Sequence, residues 1–212
     1  MNAEKKLNIK ICGMRDENNI MQIASFSPNY LGFILYPASP RFVGDAFRMP
    51  ESLPLSIERV GVFVNETTEK ILQKAKILGF DYIQLHGNEP IQQTIALKDA
   101  GLKVIKVFSL DDGFEFSVTK PYVPMVDYFL FDTKGRYFGG NAKTFNWEIL
   151  KHYDQEIPFF LSGGLSAENV AEVLSLKDMN LHALDINSGV EETPGVKSIE
   201  KLKALLTNLT NK

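Results

Sequence analysis

Short apolar runs recur along the chain and alternate with longer, mixed segments. The runs fall at about Asn8–Cys12, Tyr30–Leu35, Glu58–Val64, Tyr82–His86, Lys103–Phe108, Tyr128–Asp132, Phe159–Ser162 and His182–Ile186. Between most of them the apolar residues repeat at helical spacing, most clearly over Glu17–Ser25, Thr68–Leu78, Ile91–Ala100, Ala167–Leu176 and Ile199–Leu206. Gly44–Arg48 and Phe114–Val118 carry only a weak helix pattern. Strands in regular alternation with helices predict a parallel α/β sheet. A count of eight, with no linker and no second unit, predicts that the sheet closes into a single-domain (β/α)₈ barrel over residues 1–212.

Side-chain parity adds what the run count does not. Residues along a strand alternate between faces, and helices packed outside a barrel require an apolar outward face. Ile9 and Ile11 then face the helices and leave Lys10 and Cys12 inward. Ile83 and Leu85 leave Gln84 and His86 inward. By the same rule Tyr128, Leu130 and Asp132 point inward from the sixth strand, and Ala183 and Asp185 from the eighth. Four strands therefore end, on the inside, in Cys12, His86, Asp132 and either Asp185 or Asn187. They would share the C-terminal mouth, where barrel enzymes keep their active sites.

The seventh and eighth strands run into glycine-bearing turns, Ser162-Gly163-Gly164-Leu165-Ser166 and Asn187-Ser188-Gly189. Without Cβ atoms, Gly163, Gly164 and Gly189 let backbone N–H groups come close to an anion. Ser166 is placed to cap a helix over Ala167–Leu176, whose positive end would face the same point. Two such turns at the ends of consecutive strands predict a phosphate site in the loops after strands seven and eight.

Composition narrows the partners. Hydrophobic residues make up 44% and charged residues 23% of the chain, and the net charge is −3 with basic residues scattered. No nucleic-acid footprint is visible, and no apolar run nears the ~18 residues of a membrane span. Cys12 is the only cysteine, so no intrachain disulfide can form and a reducing compartment is expected. The polar start, Met1 to Asn8, lacks a signal-peptide core, and a cytoplasmic setting follows.

Candidate chemistry centres on the mouth. Cys12 is either a small buried hydrophobe or a thiol that takes a proton or attacks a carbonyl. The second role needs a thiolate, from an unperturbed pKa of about 8.5. Asp132 is either a loop-capping carboxylate paired with Lys134 or a general acid. An acid working near neutrality needs a shift of roughly two to three units, about 3 to 4 kcal/mol. Arg41 lies on a loop stiffened by Pro37 and Pro40, either exposed or placed to grip a carboxylate bidentately. His86, before Gly87-Asn88-Glu89-Pro90, is a pocket residue or a satisfied core histidine. His152 and His182 have no partners at ligand spacing, and neither a metal site nor a nucleotide-cofactor motif is expected.

Taken in order, several strings resemble the phosphoribosylanthranilate isomerase family of tryptophan biosynthesis. They are Lys10-Ile11-Cys12-Gly13-Met14, Gly32-Phe33-Ile34 leading to Ser39-Pro40-Arg41, Val60-Gly61-Val62-Phe63, and Gln84-Leu85-His86-Gly87. Phe131-Asp132-Thr133, Leu161-Ser162-Gly163-Gly164-Leu165 with Asn169-Val170, Asp185 through Glu191, and Pro194-Gly195-Val196-Lys197 continue the match. The resemblance implies a cofactor-free, metal-free Amadori rearrangement of N-(5′-phosphoribosyl)anthranilate to 1-(2-carboxyphenylamino)-1-deoxyribulose 5-phosphate. It implies Cys12 as general base at the ribose C2 and Asp132 as general acid at the ring oxygen. It places Arg41 on the anthranilate carboxylate and Asp185 near the amino and hydroxyl groups, with Gln84 and His86 also in the substrate pocket. Gly163, Gly164, Asn187, Ser188 and Gly189 would hold the phosphate. The expected partner is a small phosphosugar, and the expected assembly a monomer or homodimer. The alternatives are another phosphosugar barrel enzyme, against which Cys12 argues, and a non-catalytic phosphosugar-binding barrel. Two departures stand out: Gly139-Gly140-Asn141-Ala142 where the family has Gly-Gly-Thr-Gly, and Asn187 where a serine is common.

Overall fold

The computed structural model describes residues 7–133 and 146–210. Lys134 and the Gly139-Gly140-Asn141-Ala142 stretch fall outside the described residues. Eight parallel strands form a closed barrel in chain order: β1 (Asn8–Cys12), β2 (Tyr30–Ile34), β3 (Glu58–Phe63), β4 (Tyr82–Leu85), β5 (Lys103–Leu110), β6 (Tyr128–Thr133), β7 (Phe159–Leu161) and β8 (Leu181–Ile186). β1 closes the ring on β8, with Lys10 opposite Asp185 in register. A small antiparallel ribbon of β9 (Glu191–Thr193) and β10 (Val196–Lys197) follows β8.

Two apolar layers result from the strand parity. Ile11, Leu31, Phe33, Ile83, Leu85, Phe129, Phe131 and Leu184 face outward into the larger core. There they meet the buried faces of α1 (Glu17–Ala24), α2 (Thr68–Leu78) and α4 (Ile199–Thr210), which supply Ile20, Ile23, Ile71, Leu202 and Leu205. The inner cluster is smaller: Tyr30, Val60, Tyr82, Ile105, Val107, Leu130, Phe160 and Ala183 plug the N-terminal part of the barrel. Tyr30 meets Tyr82 and Phe160 edge-on, with ring centroids 5.5 and 5.3 Å apart. Beyond that plug the C-terminal mouth carries Cys12, Gln84, Asp132 and Asp185 beside Ile34 and Val62.

The helices begin where local chemistry tells them to. Asp16 caps α1 by accepting from the Asn19 N–H, and Thr67 caps α2 by accepting from the Lys70 N–H. α2 stops at Gly79, whose φ of 65° is the left-handed conformation that suits glycine. α3 (Ile91–Asp99) starts after Pro90 with no side-chain cap.

Three expectations need correction. Gly44–Arg48 forms no helix. After β5 the helical segment is a 3₁₀ stretch at Phe116–Met125, with Pro121 and Pro124 inside it and each lacking the N–H that an α-helix would use. After β7 the expected helix at Ala167–Leu176 is a 3₁₀ segment confined to Val170–Leu176, preceded by Asn169. Ser166 is therefore not the N-cap of that segment, a place taken by Asn169. The Ser166 N–H donates to Asn169 Oδ1, and Asn169 Nδ2 donates to the Gly164 carbonyl, so Asn169 clamps the glycine turn instead.

Candidate active site

The mouth of the barrel holds a cleft, and every candidate side chain named from the sequence lines it: Cys12, Arg41, Gln84, His86, Asp132 and Asp185. Gly163, Gly164, Asn187, Ser188 and Gly189 form one of its walls. Parity thus brought residues from β1, β4, β6 and β8 to one place. It also resolves the choice left open at the eighth strand, because both Asp185 and Asn187 reach the cleft.

Cys12 is 4% exposed and lines the cleft together with Arg41, Asp132 and Asp185 as well as Ile34 and Val62. Lys10 shares the inward face of β1 with it, and Asp185, opposite Lys10 on β8, pairs with that lysine. Gly32, the register partner of Cys12 on β2, makes room for it: a Cβ there would stand 2.7 Å from the Cys12 sulfur. Burial pushes the thiol pKa above its ordinary value, and the pull of Lys10 and Lys197 does not fully offset that.

Asp132 is also buried. Oδ1 accepts from the Thr133 N–H at 2.9 Å, and Oδ2 stands 3.5 Å from His86 Nε2. His86 Nδ1 is 3.1 Å from Gln84 Nε2. If that amide donates, the imidazole proton sits on Nε2 and points toward the acid. His86 Nε2, Gln84 Oε1 and Thr133 Oγ1 are buried polar atoms with no hydrogen-bond partner among the described residues. Such atoms at a cleft fit a site that a polar ligand completes.

Arg41 is buried rather than exposed. Nε donates to Glu191 Oε1 at 2.9 Å and Nη2 to Oε2 at 2.7 Å, the side-on fork of an arginine–carboxylate pair. Glu191 also accepts from Lys197 Nζ at 2.7 Å and from the Gly195 N–H at 3.0 Å. Burial works against the Glu191 carboxylate, but Arg41 and Lys197 outweigh it and hold its pKa below the usual value. Burial brings the Lys197 pKa down to about 8, against the pull of Glu191. Lys197 Nζ further donates to Asn187 Oδ1 at 2.7 Å. The Asn187 amide, held by its oxygen, keeps its NH₂ for other use.

The glycines have steric reasons to be glycine. Gly163 has φ of 98°, and a Cβ on it would lie 2.1 Å from Thr133 Oγ1. A Cβ on Gly189 would lie 1.9 Å from the Leu165 carbonyl oxygen, so the two loops touch through backbone alone. Among the described residues no group of three or more His, Cys, Asp or Glu is placed to hold a metal ion, and no helix is long and apolar enough to cross a membrane.

Sequence reasoning gave Lys10 an inward position but no task, and it missed Glu191 and Lys197. A lysine at an inward position between Ile9 and Ile11 was a readable signal. Nothing local marked the other two, which meet Arg41 only through the fold.

A closed eight-stranded barrel carrying a thiol, an acid and a glycine-walled pocket at its C-terminal mouth defines an enzyme of the (β/α)₈ class. The family model for N-(5'phosphoribosyl)anthranilate (PRA) isomerase matches residues 9–208, and the chain belongs to that family. The N-(5'-phosphoribosyl)anthranilate isomerase of Phocaeicola vulgatus is 43% identical over 204 residues, covering 96% of this chain and 98% of that protein. The crystal structure of phosphoribosyl anthranilate isomerase from Thermotoga maritima superimposes with a TM-score of 0.83 at 31% identity, covering 97% of this chain and 100% of that one. A phosphoribosyl anthranilate isomerase in complex with reduced 1-(o-carboxyphenylamino)-1-deoxyribulose 5-phosphate superimposes at 0.81 with 29% identity, covering 97% and 100%. The reaction is the isomerisation of N-(5′-phosphoribosyl)anthranilate to 1-(2-carboxyphenylamino)-1-deoxyribulose 5-phosphate in tryptophan biosynthesis.

Proposed function

We propose that Cys12 and Asp132 are the base and acid of this isomerisation, acting from opposite sides of one cleft. The observation that carries the reading is their shared lining of that cleft beside the wall of Gly163, Gly164 and Gly189. Asp132 gives its proton to the ring oxygen as the C1–O bond breaks, and the anilino nitrogen lone pair forms the C1=N bond. The Cys12 thiolate then takes the C2 proton. The C2–H electron pair becomes a C1=C2 bond, and the iminium pair returns to nitrogen. Tautomerisation of the resulting enol gives the ketone.

The remaining residues bind. Glu191 takes the side-on edge of Arg41 and fixes its plane, which leaves the end-on edge for the anthranilate carboxylate. Asp185 faces the substrate's amino and hydroxyl groups, with Gln84 and His86 on the opposite wall. The backbone around Gly163, Gly164, Ser188 and Gly189, together with the Asn187 NH₂, takes the phosphate dianion. The working protein is a cytoplasmic monomer or homodimer built on a single barrel domain, and its chemistry uses side chains alone.

Steady-state kinetics test the pair. Cys12→Ser and Asp132→Asn should each lower kcat by two orders of magnitude or more, within the usual worth of a positioned acid or base, with KM changed little. Near-wild-type turnover in either variant removes that residue from its role. Arg41→Ala should act mainly on KM.

A further inference from the structure

We propose that Lys10 is a positioning residue of the reaction, resting on the reading of Cys12 as base: its ammonium, held by Asp185, stabilises the thiolate form of Cys12. Lys10 and Cys12 are two apart on β1 and share the inward face. Lys10 is 0% exposed, and its Nζ donates to Asp185 Oδ1 at 2.7 Å. Asp185 stands opposite it in register on β8, so the lysine cannot swing away from the thiol without leaving its carboxylate.

Stability alone does not account for this lysine. A buried pair of one cation and one carboxylate can usually be replaced by apolar packing at little cost, often with a gain. An ammonium also has three N–H donors. Asp185 accepts one, and Cys12 shares the inward face of β1 with the lysine two residues away. Burial works against the charged lysine, but Asp185 and Cys12 outweigh it and its pKa lies above the ordinary lysine value. The cation therefore persists across the working pH range. Its placement matters because the thiol is otherwise badly sited for ionisation, with burial and Asp185 both opposing the thiolate.

The groups that bear on Cys12 come from several elements. Lys10 on β1 and Lys197 on β10 favour the thiolate, and Asp185 on β8 opposes it. Asp132 on β6 and His86 after β4 act on Asp185. Glu191 and Arg41 act on Lys197. Of the two cations Lys10 has the larger effect on the thiol.

Because Cys12 is the chain's only cysteine, its ionisation can be read directly from the pH dependence of its alkylation by iodoacetamide. Lys10→Met should raise the alkylation midpoint by about one pH unit or more, which is roughly a tenfold slower reaction at a fixed pH below the midpoint. The acid limb of kcat/KM should move upward by the same amount. Lys10→Arg, which keeps the charge, should restore most of both. Lys10→Gln keeps a donor for Asp185 without charge and takes the place of the methionine variant if that one fails to fold. A lysine that served only packing would lower Tm and leave the midpoint where it was, and that result overturns the proposal. Failure of the base assignment looks different: Cys12→Ser would retain turnover while the alkylation midpoint still followed the charge at position 10.

Discussion

Glu191 shows how much at this site depends on one residue outside the reacting set. It fixes the plane of Arg41, neutralises Lys197 and accepts from the Gly195 N–H, all while nearly buried. Glu191→Gln keeps the shape and removes the charge, leaving two cations without their counter-ion. Breaking a buried pair from one side costs about 3–5 kcal/mol, so a loss of that order is expected at neutral pH. The pH dependence follows from the direction of the shift. The folded-state carboxyl pKa lies below its unfolded value, so its contribution is present in full above that unfolded value. It is lost as pH falls through the folded pKa, where the wild-type group becomes as neutral as the amide. Thermal melts of the two proteins should therefore differ most near pH 7 and converge as the pH falls below the usual carboxylate range. A gap that stayed constant over that range would show that packing, not charge, sets the effect. None of this was legible in the sequence, because Arg41 and Glu191 are 150 positions apart and meet only when β1, β2 and β8 are neighbours in the ring.

Elements explain why some of the site was readable and some was not. The two-residue period of a strand is rigid geometry, so knowing that Ile9, Ile11, Ile83 and Leu85 face helices was enough to aim Cys12 and Gln84 at the interior. Loops have no such period. After β7 the sequence predicts a glycine turn leading into a helix capped by Ser166, and the glycines do line the cleft. The turn's stiffness, however, comes from Asn169, and the segment behind it is a short 3₁₀ stretch. Local pattern cannot separate an α start from a 3₁₀ start when the deciding bonds are made by one side chain folding back on its own turn. The glycines themselves make a sharper test of the phosphate wall than the helix would. Gly189→Ala must push the β8 loop off the Leu165 carbonyl, since its Cβ would otherwise sit 1.9 Å from that oxygen. If the loop's N–H groups hold the dianion, displacing one charge-assisted bond of about 1.5–3 kcal/mol should raise KM roughly tenfold to a hundredfold. The expected change in kcat is smaller. Unchanged KM for the phosphorylated substrate would move the phosphate site elsewhere.

On the scale of the whole molecule, the barrel is a ring closed by one seam, β1 on β8, and the cleft draws on strand ends from both sides of it. The aromatic plug of Tyr30, Tyr82 and Phe160 seals the other end, so the mouth is where a ligand can add contacts to the interior. A ligand seated there touches the ends of β1 and β6 and the loops after β2, β4, β7 and β8 at once, and to leave the folded state the chain must give up all of them. Saturation at about a hundred times Kd should then stabilise the whole fold by about 2.7 kcal/mol. For a domain of this size each kcal/mol moves Tm by about 2–4 °C, so the reaction product should raise Tm by about 5–10 °C. The shift should appear as a displacement of one transition, because β1 and β8 cannot separate while the ligand bridges them. The dephosphorylated product, at the same concentration, should give a much smaller shift in the wild-type chain. In Gly189→Ala the two compounds should become nearly equal, each measured against that variant's own unliganded Tm. Equal shifts from both compounds in the wild-type chain would mean that the anthranilate and sugar contacts alone carry the binding. A product-induced second transition would mean that the seam opens independently of the rest of the ring.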